Sequence, residues 1–226
     1  VLLMEAVHHN PREQWCVWHT KTARSPCSVR GVVTAKTQYN LKNALEYFEE
    51  HLCVGDYYDE GQRVAGEWVG VGAERLGLAG KVRADDFLRL CENQHPGTGE
   101  KLTQRQNTTR TEGDKNTANR RIFYDFTFSP PKSVSLVGFL GNDERIFEAH
   151  ARAVQAALKD FEAFAATRVR VGGVRSERLT GNFVAAQFTH DTSRALDPHL
   201  HTHCIVFNAT FDAVENRWKA LENYEL

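Results

Sequence analysis

Residues 182–189 and 201–210 are both rich in β-branched and aromatic side chains, and the segment joining them, HDTSRALDPHLHTH from His190 to His203, carries the strongest local signal in the chain. Alternate residues of a strand share a face, so His201 and His203 project together. His190 ends the preceding strand, and Asp197-Pro198 favours a turn. The chain is therefore expected to return on itself as an antiparallel pair, with His190 beside the other two. Three imidazoles converging on one point make an open metal site, with positions left for water or substrate. His199 is assigned to the face opposite His201 and left out of the site, and His150, on a helix, is read as structural or exposed. Imidazole suits zinc, nickel, cobalt or copper, whereas magnesium prefers oxygen. Substrate phosphate oxygens would supply the hard partners, so Mg²⁺ or Mn²⁺ is expected to support activity, with softer ions binding more tightly.

The rest of the chain alternates between the two periods. Residues 32–38 read as a strand. Asn40 can cap a helix with an apolar stripe of Leu41, Ala44/Leu45, Phe48 and Leu52, and Tyr47 lies on that helix. Residues 55–72, with Tyr57, Tyr58 and Trp68, read as loop; 84–91 as a small helix; 95–120 as a polar loop. In strand 123–128, Tyr124, Phe126 and Phe128 share one face, with Phe123, Asp125 and Thr127 on the other. Ser129-Pro130-Pro131-Lys132 starts a helix, residues 143–167 form a long amphipathic one, and a turn at 212–216 leads to a last strand at 217–221. No βαβ rhythm is present. The fold class expected is α+β, a central antiparallel sheet with helices packed on it.

Residues 1–31 show no helical or strand period and are expected to be a poorly ordered or non-native extension of a domain spanning 32–226. The chain opens with Val1 and its only methionine is Met4, so translation is expected to start at Val32 or Val33. No run of about 18 apolar residues is present, which argues against membrane insertion. Five scattered cysteines without a CxxC pair fit reduced thiols in a cytoplasmic protein. With 28 basic against 29 acidic side chains, nucleic-acid binding would have to come from a local basic surface. Candidates are Lys101, Arg105, Arg110, Lys115, Arg120 and Arg121, then Arg168, Arg170, Arg175 and Arg178, with Trp68 and Trp218 as stacking platforms. No GxxxxGK[ST] phosphate loop occurs, which excludes an ATP-driven motor in these residues.

Asp125 is a strand-disfavoured residue inside an apolar run. On the histidine face it could orient an imidazole or take a proton from a nucleophile. Tyrosine, with a pKa of about 10, needs such help to become nucleophilic.

Tyr47, Tyr57-Tyr58, FYDFTFSPPKSVSL (123–136) and HDTSRALDPHLHTHCIVFN (190–208) together resemble the relaxase domain of MobF-class conjugative relaxases, in the HUH endonuclease superfamily. The resemblance covers about residues 32–226 and implies the permuted, palm-like HUH fold, cut short at its C-terminus. It makes Tyr47 the first nucleophile, His190, His201 and His203 the metal ligands, and Asp125 the general base, with Tyr57 and Tyr58 as the second tyrosine cluster. Members often carry two adjacent tyrosines at the first position; here the second is Phe48, which narrows the first nucleophile to Tyr47. The implied reaction is strand-specific transesterification of single-stranded DNA at a plasmid transfer origin, through a 5′-phosphotyrosyl link that a later 3′-hydroxyl can reseal. The implied setting is the bacterial cytoplasm, with conjugation accessory and secretion proteins as partners. Two other readings compete: a histidine-liganded metallohydrolase using activated water, and a non-catalytic replication-origin binding module on the same fold.

Overall fold

The computed structural model describes residues 2–10, 13–20, 31–52, 66–104, 109–112, 115–118, 120–193, 195 and 197–222. The chain begins with strands β1 (Leu2–Asn10), β2 (Glu13–Thr20) and β3 (Gly31–Gln38). Helix α1 (Leu41–Tyr47) follows, capped by Asn40, whose side chain accepts from the Asn43 N–H. It widens at once into a π-helical turn, Phe48–Leu52. Next come β4 (Glu67–Val69), α2 (Val71–Arg75), α3 (Ala84–Cys91) and the hairpin β5 (Thr109–Glu112) and β6 (Lys115–Ala118). Then follow β7 (Phe123–Ser129), α4 (Lys132–Gly141), α5 (Glu144–Ala163) and the ribbon β8 (Ala166–Val171) and β9 (Val174–Leu179). The chain closes with β10 (Ala185–Thr192), β11 (Pro198–Phe207), β12 (Thr210–Asp212), β13 (Arg217–Lys219) and β14 (Leu221–Glu222).

Seven strands make one sheet in the order β1-β2-β3-β7-β11-β10-β4, and every neighbouring pair is antiparallel. The α+β architecture is the one expected. The alternation read in 123–128 holds. Tyr124, Phe126 and Phe128 pack with Val154, Leu158 and Phe161 of α5, while Phe123 packs on the other face with Phe48, Phe87, Phe188 and Phe207. Phe87 is fully buried and stacks on Phe48 at 4.2 Å between centroids. Burying each such ring contributes about 1.5–3 kcal/mol, and this cluster seats α1 and α3 against the sheet.

Several expectations are corrected. Residues within 1–31, read as lacking any strand period, contribute β1 and β2 as an antiparallel hairpin beside β3. Pairing of that kind is made by backbone groups and does not require an apolar period. The long helix ends at Ala163, because Ala166 and Thr167 already pair with β14. The polar stretch 95–120 contains β5 and β6. Trp68, read as loop and as a stacking platform, lies on β4 and is only 8% exposed within the core. Among the described residues, no helix is long and apolar enough to cross a membrane.

Candidate active site

The sheet register assembles the site. His190 on β10 is the direct cross-strand partner of His201 on β11, and His203 lies two residues further on, opposite Thr127 of β7. Asp125 is two residues before Thr127, so the five side chains share the face against which α1 packs. The three rings gather at centroid distances of 5.2 Å (His190–His201), 5.7 Å (His190–His203) and 5.1 Å (His201–His203).

Tyr47 enters from above, at the last residue of α1 before the π-helical turn, a local widening often found at functional positions. Its ring packs beside Phe123 at 6.4 Å, and its hydroxyl donates to Asp125 Oδ2 at 2.5 Å. Asp125 is 3% exposed. Both of its oxygens are 3.0 Å from His203 Nδ1, and Thr127 Oγ1 lies 3.4 Å from Oδ1 and 3.0 Å from the same Nδ1. A bare Nδ1 lone pair would face an anion there, so Nδ1 carries the proton and donates it to the carboxylate. That contact turns Nε2, the other ring nitrogen of His203, away from Asp125. On His201, Nδ1 donates to the His199 carbonyl at 2.9 Å, leaving Nε2 as the donor atom. Burial pushes the His201 imidazole down to about 4, and the neighbouring histidines push the same way, so it is neutral at pH 7.

This donor set suits a divalent cation: three gathered imidazoles, two of them oriented through Nδ1 by a carboxylate and a carbonyl. Among the described residues, no three His, Cys, Asp or Glu side chains are already drawn in to coordination distance.

Some predicted residues fall elsewhere. Tyr57 and Tyr58, and the side chains of Arg105, Arg110 and Lys115, lie outside the described residues. Arg120, offered as a DNA contact, is 5% exposed and donates to the Asn208 carbonyl at 2.7 Å. Arg168 pairs with Glu222 at 2.7 Å, Arg178 with buried Asp212 at 2.7 Å, and Arg121 with Glu222 at 3.6 Å. Arg170 and Arg175 are exposed and directly opposed on the β8–β9 ribbon. Trp218 is half-buried against Phe211. His199, assigned to the far face, lies 5.2 Å from His201; strand alternation puts 199, 201 and 203 on one side, and the assignment misapplied it. His150 is half-buried, with Nε2 2.9 Å from Thr202 Oγ1. Two residues were missed. Thr127 is legible from the same alternation that places Asp125, whereas exposed Lys36, the cross-strand partner of Asp125, needs the pairing of β3 with β7.

An antiparallel sheet carrying a tyrosine on a carboxylate, beside gathered histidines, is the architecture of a relaxase. A sequence model of the TrwC relaxase family matches residues 41–226, and the chain belongs to that family. It is 46% identical over 156 residues to the multifunctional conjugation protein TraI of Escherichia coli, covering 69% of this chain and 8% of that protein's length. Two solved structures of the conjugative relaxase TrwC in complex with oriT DNA are similar over 85% of this chain and 62% of theirs. The metal-bound one has 38% identity and a TM-score of 0.66, the copper-bound one 37% and 0.68.

Proposed function

We propose that this chain is a DNA transesterase that nicks single-stranded DNA at a plasmid transfer origin in conjugative transfer, with Tyr47 as the first nucleophile. The observation that carries the reading is the Tyr47 hydroxyl, 2.5 Å from the carboxylate of a nearly buried aspartate. Asp125 accepts the phenolic proton as the tyrosine oxygen attacks phosphorus. The bond to the 3′-oxygen breaks, that oxygen leaves and takes up a proton, and the 5′-phosphate stays esterified to Tyr47. One phosphodiester is exchanged for another, so a later 3′-hydroxyl can reverse the exchange.

His190, His201 and His203 would hold a divalent ion, Mg²⁺ or Mn²⁺ in activity and Zn, Ni, Co or Cu with tighter binding. When bound, that ion supplies positive charge to polarise the phosphate. Asp125 orients His203 through Nδ1 while receiving from Tyr47, so one carboxylate aligns nucleophile and imidazole together. Tyr57 and Tyr58 are assigned to second strand transfer. The setting is the bacterial cytoplasm, with conjugation accessory and secretion proteins as further partners.

The chain incubated with transfer-origin oligonucleotides and a divalent ion tests this on a denaturing protein gel. A band shifted by covalent DNA is expected. Cleaved DNA with no shifted protein would replace the reading by hydrolysis through activated water.

A further inference from the structure

A fourth histidine lines the site. His199 sits edge-on to His201 at 5.2 Å, with its Nε2 3.5 Å from Ser129 Oγ at the end of β7. Two prolines later α4 begins with Lys132, whose side chain is 46% exposed. Its ammonium is 4.0 Å from Asp197 Oδ2, on a carboxylate that is 66% exposed. At that distance and exposure the pair holds the lysine only weakly. An imidazole edge-on to His201, a hydroxyl beside it and an exposed ammonium near enough to act on that imidazole are thus contributed by β11, β7 and α4.

A neutral N–H, an O–H and an N⁺–H are the donors that a phosphodiester accepts. A single strand held for attack at one phosphorus has another phosphate next to it along the backbone. We propose that His199, Ser129 and Lys132 bind the phosphate adjacent to the scissile one, and so set which bond of the strand lies at Tyr47. This rests on the transesterase reading. Asp197 works against the shelf, because its carboxylate competes for the ammonium and repels the phosphate.

The test uses the full chain, a single-stranded oligonucleotide, and the same oligonucleotide with one neutral methylphosphonate next to the cleavage position. Lys132→Ala is expected to weaken binding about tenfold and to reduce the salt slope of log K by about 0.7, one phosphate contact on a single strand. The methylphosphonate should weaken the wild-type chain similarly and Lys132→Ala hardly further. Lys132→Arg should retain most affinity, and Asp197→Asn should tighten binding. His199→Ala should shift cleavage toward neighbouring bonds with Mn²⁺ affinity, read by calorimetry, unchanged. Equal losses from the methylphosphonate in wild type and Lys132→Ala would overturn the proposal, as would loss of Mn²⁺ affinity in His199→Ala, which would make it a metal ligand. A chain that binds DNA through the shelf yet forms no covalent adduct would instead sink the transesterase reading.

Discussion

Replacing Asp125 with asparagine keeps the shape of the side chain and removes its charge. The carboxylate is 3% exposed and accepts from the Tyr47 hydroxyl at 2.5 Å and from His203 Nδ1 at 3.0 Å. An amide has one acceptor oxygen, so its NH₂ must face one of two donors, the tyrosine hydroxyl or the imidazole N–H. Leaving a buried donor opposed costs about 1–3 kcal/mol of stability, which two aromatic clusters on either side of the sheet can absorb. Loss of the base costs far more in rate. General-base assistance is worth about 10²–10⁴-fold, or roughly 3–5 kcal/mol of barrier. The carboxylate also orients His203, and losing such a partner weakens metal binding about 10–100-fold. The assay is single-turnover formation of the protein–DNA adduct at saturating DNA and metal, alongside DNA affinity. Near-normal DNA binding is expected, with a rate lower by at least about two orders of magnitude and weaker metal binding. A variant within about threefold of wild type at saturating metal would refute the role given to Asp125.

His201→Ala should remove most metal affinity and cleavage together while far-ultraviolet circular dichroism stays unchanged; unaltered metal stoichiometry would exclude the three-histidine centre. Stability in the presence of a chelator should fall as pH drops from about 6.5 towards 4, because burial holds His150 near 4 while the unfolded chain titrates around 6.5. The unfolded state then binds more protons in that window, so stability is full above it and is lost on acidification, by up to about 3 kcal/mol for this residue. His150→Gln should flatten the slope of denaturation midpoint against pH; an unchanged slope would contradict the burial argument.

The parts of the molecule legible from sequence were those where side-chain period and backbone geometry coincide. Strand β7 announced both of its faces because Tyr124, Phe126 and Phe128 alternate with Phe123, Asp125 and Thr127, and all of these but the half-buried Thr127 are buried. The histidine segment was legible because a turn-forming Asp-Pro constrains the return, and the register pairs His190 with His201. His199 was an error of parity and was readable. The β8–β9 ribbon was also readable: Gly172-Gly173 between Val171 and Val174 is a two-residue hairpin signal, and both glycines have positive φ, 59° and 83°. Trp68 and Arg120 were not readable, because their burial depends on partners far away in sequence: Phe207 for the indole, the Asn208 carbonyl for the guanidinium. Composition marks such residues as candidates for DNA and only packing removes them. The meeting of Tyr47 with Asp125 spans 78 residues and needs the docking of α1, which no local pattern encodes.

The most direct test of the account is the identity of the residue that carries DNA after the first cleavage. The covalent adduct, trapped with a transfer-origin oligonucleotide and digested, should give by mass spectrometry a 5′-phosphotyrosyl peptide containing Tyr47. Tyr47→Phe, which removes one oxygen and leaves the ring packed beside Phe123, should abolish that adduct while DNA binding persists. A phosphotyrosine mapped to Tyr57 or Tyr58 in the first cleavage, or a Tyr47→Phe protein that still forms the adduct at the wild-type rate, would contradict it.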